Sequence, residues 1–192
     1  LYSSAASDVY KRTFLYRFDE AVRLEVRQEL HLSKDVTVVG HVGRFNRQKN
    51  HEFLLEVFHK YVQEFNPTAH LLLVGTGELQ KAIQKKVQQF RLTDQVHLLG
   101  GRPDVNRLLQ AMDLFLFPSF MEGLSVSMVE AQCAGLPCVV SDRIPREAAL
   151  TDQVSFLSLE TAPRQWACEI ERVRCMASRR TGYYQQLSLI HI

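Results

Sequence analysis

The chain has 192 residues, which fits one domain with a single substantial core. Its hydrophobic fraction of 46% and charged fraction of 23% are typical of a globular protein and argue against disorder. A net charge of +2, with no RNA-binding or zinc-finger pattern, argues against a nucleic-acid partner. No apolar run is long enough to span a bilayer, and the N-terminus lacks a signal-peptide core.

The cysteines bear on metal binding and cellular location, and the first residue bears on whether the sequence is part of a longer protein. No CxxC pair and no matching histidine cluster accompanies the four cysteines. We therefore expect no metal site, and buried reduced thiols that fit a cytoplasmic location. The chain begins with Leu1 rather than Met, so we expect a piece of a longer protein. The cysteines are Cys133, Cys138, Cys168 and Cys175.

The first predicted elements are a surface helix and a buried strand. Residues 1–34 are polar and mixed, and the segment 19–30 predicts a helix that leads into the core. Residues 36–42 are β-branched and apolar, which is typical of a buried parallel strand. A loop follows to Asn50, which we expect to cap the next helix. That helix carries apolar residues at helical spacing until Asn66-Pro67 ends it.

The alternation of strand and helix then repeats along the chain. Strands are predicted at 71–74, 96–99, 114–117 and 138–141, and helices at 78–91, 105–111, 124–134 and 166–176. This order predicts an α/β domain over 35–180, with a parallel sheet and helices on both faces. Residues 1–34 then form a linker and leading helix, and 181–192 an atypical tail. Such sheets bind ligands at the carboxyl ends of their strands, where the loops should meet.

Two loops at that edge have features of an anion site. After the first strand, Gly43 allows close approach to the backbone, and Arg44 and Lys49 could neutralise a diphosphate. A solvated basic loop explains these residues equally well. After the second strand, Gly75 and Gly77 precede a helix N-terminus, where backbone amides attract phosphate. A tight strand-to-helix turn is an equal explanation, since neither a Walker A loop nor GxGxxG is present.

The third feature is a pair of carboxylates around a helix start. Glu122 and Gly123 open the predicted helix, and Glu130 lies about two turns into it. Carboxylates accept paired hydrogen bonds from adjacent hydroxyls, which sugars and ribose present. Free amides at Gly123, Leu124 and Ser125 suit a diphosphate or sugar oxygen. An acidic helix start explains Glu122, but not Glu130 among apolar neighbours, where a part-buried carboxylate needs a partner.

As an ordered set, these residues resemble the C-terminal domain of the GT-B glycosyltransferases of family 4, which is Rossmann-like. The resemblance runs from about Val36 to about Arg146, and the stretch EGLSVSMVEAQCAGLPCVVSD is similar to transferases of bacterial capsule and exopolysaccharide synthesis. It implies that Arg44 and Lys49 bind the donor diphosphate and that Glu130 holds the ribose. Glu122 and the amides of 123–125 would face the donor sugar and phosphates.

The resemblance also implies a complete set of site residues. The base would meet the segment Gly101-Arg102, largely through backbone, so the Arg102 side chain is the weaker candidate. The implied catalytic residues are Glu122, Arg44 and Lys49. The implied donor-binding residues are Gly43, Arg44, Lys49, Gly75, Gly77, Gly101, Arg102, Glu122, Gly123, Leu124, Ser125 and Glu130.

The same resemblance implies a UDP-sugar donor, retention of anomeric configuration and no metal or other cofactor. The basic pair and the helix end would stabilise the leaving diphosphate, in keeping with the lack of a DxD motif. The family's N-terminal domain, which would carry the acceptor site, is absent from this sequence. A lipid-linked acceptor would place the parent protein at the inner membrane face. The apolar segment 187–192 is either a frameshift remnant or part of a helix that crosses to the missing domain.

Other functions and other residues stay open at this stage. A sugar-nucleotide epimerase or a phosphorylase on the same fold is one alternative, although the phosphorylase would carry a pyridoxal lysine and no such motif is found. A non-catalytic nucleotide or sugar-phosphate module is another. We expect His41 to be a hydrogen-bonded strand-end residue and Trp166 to lie in the core. His51 and His59 lack a third metal ligand, and Ser125 lacks a GxSxG setting.

Overall fold

A computed structural model of the protein describes residues 15–123 and 125–176. Within these residues there are six helices and six strands, which alternate after the first helix except that only a 3-10 turn separates the last two strands. The helices are α1 (Glu20–Glu29), α2 (His51–Glu64), α3 (Gln80–Gln89), α4 (Val105–Ala111), α5 (Val126–Cys133) and α6 (Pro163–Met176). The strands are β1 (Val38–Val42), β2 (His70–Val74), β3 (Val96–Gly100), β4 (Leu114–Phe117), β5 (Cys138–Ser141) and β6 (Val154–Leu157).

The strands form one parallel sheet in the order β3-β2-β1-β4-β5-β6. The order reverses between β1 and β4, where Gly40 is level with Phe115. This reversal leaves a crevice at the carboxyl ends of β1 and β4, the usual ligand position in such sheets. The predicted fold class, an α/β Rossmann-like parallel sheet covered by helices, is therefore confirmed.

Successive strand side chains point to opposite sides of the sheet. Helices cover both sides, so both faces are buried. One face packs with α1, α4 and α5, and the other with α2, α3 and α6. Trp166 is fully buried on the second face, as predicted. Representative strand residues are Val38, Leu72 and Phe115 on the first face, and Val39, Leu71 and Leu114 on the second.

An arginine cluster holds α1 on the first face. Arg27 is buried and donates to the Asp113 carboxylate at 2.7 Å, and Arg23 binds the other oxygen of the same carboxylate. Asp113 also accepts from the backbone N–H of Val38 at 2.7 Å. Burial lowers the pKa of the Arg27 guanidinium, although Asp113 opposes this shift. Four backbone carbonyls accept the remaining Arg27 bonds: Ala111, Ser33, Lys34 and Val36.

The structure corrects several local predictions. Strand β6 was not predicted, because its short Val-Ser-Phe-Leu sequence is only half-buried at the edge of the sheet. Asn50 does occupy the position before α2, but its φ is 54° and its side chain caps nothing. Instead, the Asn46 side chain accepts from the backbone N–H of Lys49 and caps a 3-10 turn. The capping prediction for Asn50 is therefore wrong.

The cysteine prediction holds only in part. All four thiols are free, and Cys133 and Cys138 are buried as expected. Cys168 is half-buried and Cys175 is exposed, because the two residues lie on the outer part of α6. The predictions for residues 1–14, for Leu124 and for the tail at 181–192 fall outside the described residues.

Candidate functional site

The loops after β1 and β4 meet at the crevice where the strand order reverses. The Gln48 side chain donates from Nε2 to the Met121 carbonyl at 2.8 Å, and the Gln48 backbone carbonyl accepts from the Phe120 N–H at 2.9 Å. Lys49 and Glu122 are joined by an ion pair with 2.7 Å between Nζ and Oε1. Two loops separated by more than 70 residues in sequence are thus joined side by side.

The ion pair is largely buried rather than on the surface. The Lys49 side chain is 14% exposed and the Glu122 side chain is 8% exposed. The Lys49 ammonium also lies over the Phe117 ring, 4.7 Å from its centroid, in a cation–π arrangement. Among the described residues, Glu122 is the hydrogen-bond acceptor of Lys49 Nζ. An ammonium has three donors, so Lys49 keeps the capacity to bind a further anion.

Arg44 has a different setting from Lys49, although both belong to the same loop. Its side chain is 73% exposed and its nearest carboxylate is Glu78, at 3.6 Å. An exposed pair at that distance contributes little stability. The Arg44 guanidinium is therefore accessible to a ligand, whereas the Lys49 side chain is largely buried.

The predicted glycines pack one loop against another. Gly75 has φ of 142°, and a Cβ there would lie 2.0 Å from the Gly43 carbonyl oxygen. A Cβ on Gly77 would lie 2.3 Å from the Phe45 carbonyl oxygen. The N–H of Gly75 donates to the Gly100 carbonyl at 2.8 Å. These contacts support the tight-turn explanation for Gly75 and Gly77, and their role in donor binding stays a prediction.

The segment after β3 lies further along the same edge. Arg102 makes two hydrogen bonds to the Asp104 carboxylate, at 2.7 and 2.6 Å. The guanidinium is therefore engaged by its own loop. The expectation that Gly101 and Arg102 would meet a base through their backbone stays a prediction.

Helix α5 carries the second carboxylate of the predicted set. Glu130 is buried at 8% exposure, in keeping with the predicted part-burial. Ser125 is buried just before the helix, and its Oγ is 3.2 Å from Ser127 Oγ. Gly123 is exposed, and a Cβ there would meet open space. The donor-binding roles of these residues stay predictions, and Leu124 lies outside the described part of the chain.

Two histidines beneath the β1 loop form a pair that the sequence did not indicate. His41 is fully buried, and its Nδ1 donates to the Leu116 carbonyl at 2.9 Å, which confirms the strand-end prediction. Its ring centroid is 4.7 Å from that of His51, which is 1% exposed. Burial, reinforced by the Lys49 charge, lowers the pKa of His51 to about 4. Burial likewise sets the pKa of His41 well below its usual value.

Comparison with known proteins identifies the family of this chain. A family model described as "Glycosyl transferases group 1" matches residues 22–174. The chain belongs to this glycosyltransferase family. The family resemblance found in the sequence is thereby confirmed, and it favours a transferase over an epimerase or a phosphorylase.

Curated relatives extend the comparison. The chain is 37% identical over 142 residues to EpsF of Bacillus subtilis, which is named as a glycosyltransferase. It is 38% identical over 116 residues to an Escherichia coli UDP-Gal:alpha-D-GlcNAc-diphosphoundecaprenol alpha-1,3-galactosyltransferase. These alignments cover 73% and 59% of this chain, but only 37% and 30% of the relatives. The chain thus spans about a third of the length of these relatives.

Solved structures confirm the fold. Anabaena HepE, in complex with UDP and glucose, matches with a TM-score of 0.77 over 92% of this chain and 49% of its own, at 21% identity. The lipopolysaccharide glycosyltransferase WaaG matches with a TM-score of 0.74 over 86% of this chain and 45% of its own, at 20% identity. At these identities the likeness concerns the fold alone.

None of the described helices combines the length and apolarity needed to cross a membrane. Within 15–123 and 125–176, no three His, Cys, Asp or Glu side chains are grouped as metal ligands.

Proposed function

We propose that this chain is the donor-binding domain of a retaining glycosyltransferase that uses a UDP-sugar. The parent enzyme would transfer the sugar to a glycan or lipid-linked acceptor in polysaccharide biosynthesis. The observation that carries the proposal is the Lys49–Glu122 pair at the strand-order reversal, with Glu130 on the adjoining helix. Cation and carboxylates at one crevice suit a ligand that has both a diphosphate and hydroxyls.

Each part of the donor has a candidate partner in this crevice. Lys49 and Arg44 are assigned to the diphosphate, one as a mobile point charge and the other as a planar fork. Glu130 is assigned to the ribose hydroxyls, and Glu122 to the sugar. The backbone of 101–102 is assigned to the base. Supporting this assignment, the loops that carry Arg44, Lys49, Glu122 and residues 101–102 all follow strands at the carboxyl edge of the sheet, and Glu130 lies on the helix after the β4 loop.

The proposed chemistry needs electrostatic stabilisation more than acid–base groups. When the bond between the anomeric carbon and the diphosphate breaks, negative charge grows on the departing nucleotide. Arg44 and Lys49 would neutralise that charge as it develops. The acceptor hydroxyl would then bond to the same carbon and pass its proton to the departing diphosphate oxygen, on a site that an N-terminal domain of the parent protein would supply. A bound metal is not required by this scheme.

The names of the relatives support the choice of donor and pathway. The Escherichia coli relative is named for a UDP-sugar donor and a diphosphoundecaprenol-linked acceptor. A Staphylococcus aureus relative, 30% identical over 69% of this chain, is named for capsular polysaccharide biosynthesis. We therefore extend the proposal to a lipid-linked acceptor and to a cytoplasmic parent enzyme that works at the inner membrane face.

Calorimetric titration of this chain with UDP, GDP and ADP, with and without EDTA, tests the donor assignment. We expect binding that selects UDP and does not change with EDTA. Selectivity for GDP or ADP would overturn the choice of base, and loss of binding in EDTA would overturn the metal-free scheme. If no nucleotide binds, the same titration on the full-length parent decides whether the site needs its second domain or the assignment is wrong.

A further inference from the structure

The two groups assigned to different parts of the donor are bonded to each other. Lys49 Nζ donates to Glu122 Oε1 at 2.7 Å, and both side chains are largely buried. A diphosphate that binds Lys49 must therefore share or displace the Glu122 carboxylate. Phosphate and carboxylate are both anions, so their proximity in a crevice of low dielectric is unfavourable.

The pair is not needed to hold the two loops together. Gln48 already joins them twice, through its side chain to the Met121 carbonyl and through its own carbonyl to the Phe120 N–H. The Lys49 ammonium is also placed by the Phe117 ring beneath it. The Glu122 carboxylate is thus an additional negative charge in the crevice, and it changes how strongly Lys49 binds an anionic ligand.

A complete nucleotide-sugar and a free nucleoside diphosphate differ in what they offer Glu122. A sugar hydroxyl can donate to the carboxylate and replace the bond that Lys49 withdraws. A free diphosphate has no such donor. When it binds Lys49, it weakens the Lys49 hydrogen bond to Glu122 and replaces it with nothing, which is costly for a buried carboxylate. Glu122 therefore penalises UDP alone but not the UDP-sugar.

We propose that Glu122 is a specificity-determining residue that selects the nucleotide-sugar over the free nucleoside diphosphate by restraining Lys49. This inference rests on the proposed function, because it takes the crevice to be the donor site. It adds that one carboxylate serves two purposes: it accepts from the sugar of the substrate, and it weakens the binding of the product nucleotide.

The test compares wild type with Glu122→Gln, which keeps a hydrogen-bond acceptor beside Lys49 and removes the charge. Titrations use UDP, and the UDP-sugar that wild type binds most tightly among UDP-glucose, UDP-galactose and UDP-N-acetylglucosamine. We expect Glu122→Gln to bind UDP roughly tenfold more tightly than wild type, as for a lost charge-assisted contact. The preference for the UDP-sugar over UDP should fall by at least the same factor.

Glu78→Gln is the matched control. Glu78 is the other carboxylate next to a cation of this loop, 3.6 Å from Arg44, but it is exposed. It should change UDP affinity by less than about twofold. An equal gain in Glu78→Gln would overturn the inference in favour of a general effect of net charge.

A double-mutant cycle tests whether Glu122 acts through Lys49. Lys49→Met should reduce UDP affinity by a larger factor in the Glu122→Gln background than in wild type, because Lys49 is unrestrained there. Unchanged or weaker UDP binding in a folded Glu122→Gln variant would overturn the inference alone. Failure of wild type and of the full-length parent to bind any nucleoside diphosphate would instead overturn the proposed function, and the inference with it.

Discussion

Two regions of this domain use a cation–carboxylate pair for different purposes. At the amino side of β1 and β4, Arg27 donates to Asp113 and to four backbone carbonyls. At their carboxyl side, the Lys49 ammonium makes one hydrogen bond within the described part of the chain, to Glu122. Both clusters pair largely buried cations with a carboxylate, and both join segments that lie far apart in the chain.

The difference lies in how fully each cation is satisfied. The Arg27 guanidinium donates through all three nitrogens and is buried, so a ligand cannot reach it and the cluster serves to hold α1 in place. Lys49 has donors left at the open end of the sheet. A buried charge with all its partners supplied by the fold is structural, whereas one with unused capacity at a ligand edge indicates a site. Residue type alone does not make this distinction.

The largest expected effect comes from breaking the structural cluster. Arg27→Met removes a hydrogen-bond donor from Asp113 and from several backbone carbonyls. It should therefore lower the free energy of unfolding by about 3–5 kcal/mol. Arg107→Met is the control, since Arg107 also joins α4 to α1, through ion pairs with Glu25 and Glu29 that are more exposed. It should cost less than about 1 kcal/mol in urea unfolding. Equal losses in the two variants would contradict the comparison.

A pH effect of similar size is expected from the histidine pair under the Lys49 loop. The pKa of His51 is about 4 in the fold and near 6.5 when unfolded, so the unfolded chain binds the proton more readily between these values. Stability should therefore fall as the pH drops from about 6.5 to about 4, by up to about 3 kcal/mol from His51. Urea unfolding of His51→Phe should show a shallower pH dependence than wild type. The exposed His31→Asn variant should keep the wild-type slope.

Removing a site residue should affect binding more than folding. Lys49→Ala and Glu130→Ala should each weaken UDP binding by about 1.5–3 kcal/mol, the value of a charge-assisted contact. Lys34→Ala removes an exposed lysine before β1, at the opposite edge of the sheet, and should bind UDP as wild type does. Calorimetry measures the binding. If both site variants bound UDP as tightly as wild type, the donor-site assignment would be wrong.

The smallest effect is expected at an exposed pair on the same edge. Two hydrogen bonds join Arg102 to Asp104 within its own loop, so its guanidinium is already engaged there. Arg102→Ala should change UDP affinity and stability by less than about 1 kcal/mol each. A large loss of UDP affinity with unchanged stability would show that the guanidinium, rather than the backbone, recognises the nucleotide.

Much of the fold could be predicted because its signals are local. Buried parallel strands are continuous apolar runs, and the helices between them have apolar residues at helical spacing. The weak points were short or half-buried elements. β6 was missed, and the helix beginning at Pro163 was predicted to start three residues later, at Trp166. The Asn50 cap failed because a preceding 3-10 turn places that residue in a left-handed conformation.

The candidate site was predictable as a set of loops, but not as a set of contacts. Placing Arg44 and Lys49 in one loop did not show that one is exposed and the other buried. The sequence identified the glycines, but it did not show that Gly75 packs against the Gly43 backbone. The pairing of His41 with His51 had no sequence signal, because it depends on how α2 sits over β1.

By itself, the sequence determined that the chain alternates strands with helices, and hence that the loops after the strands share one edge of a parallel sheet. Hydrophobic periodicity and turn residues specify this, since they depend on neighbours along the chain. Only the tertiary structure decided that β4 lies beside β1, which joins Lys49 to Glu122 across 73 residues. Charge pairing acts over a few ångströms of space, so its partners follow from strand order and packing and not from spacing in the sequence.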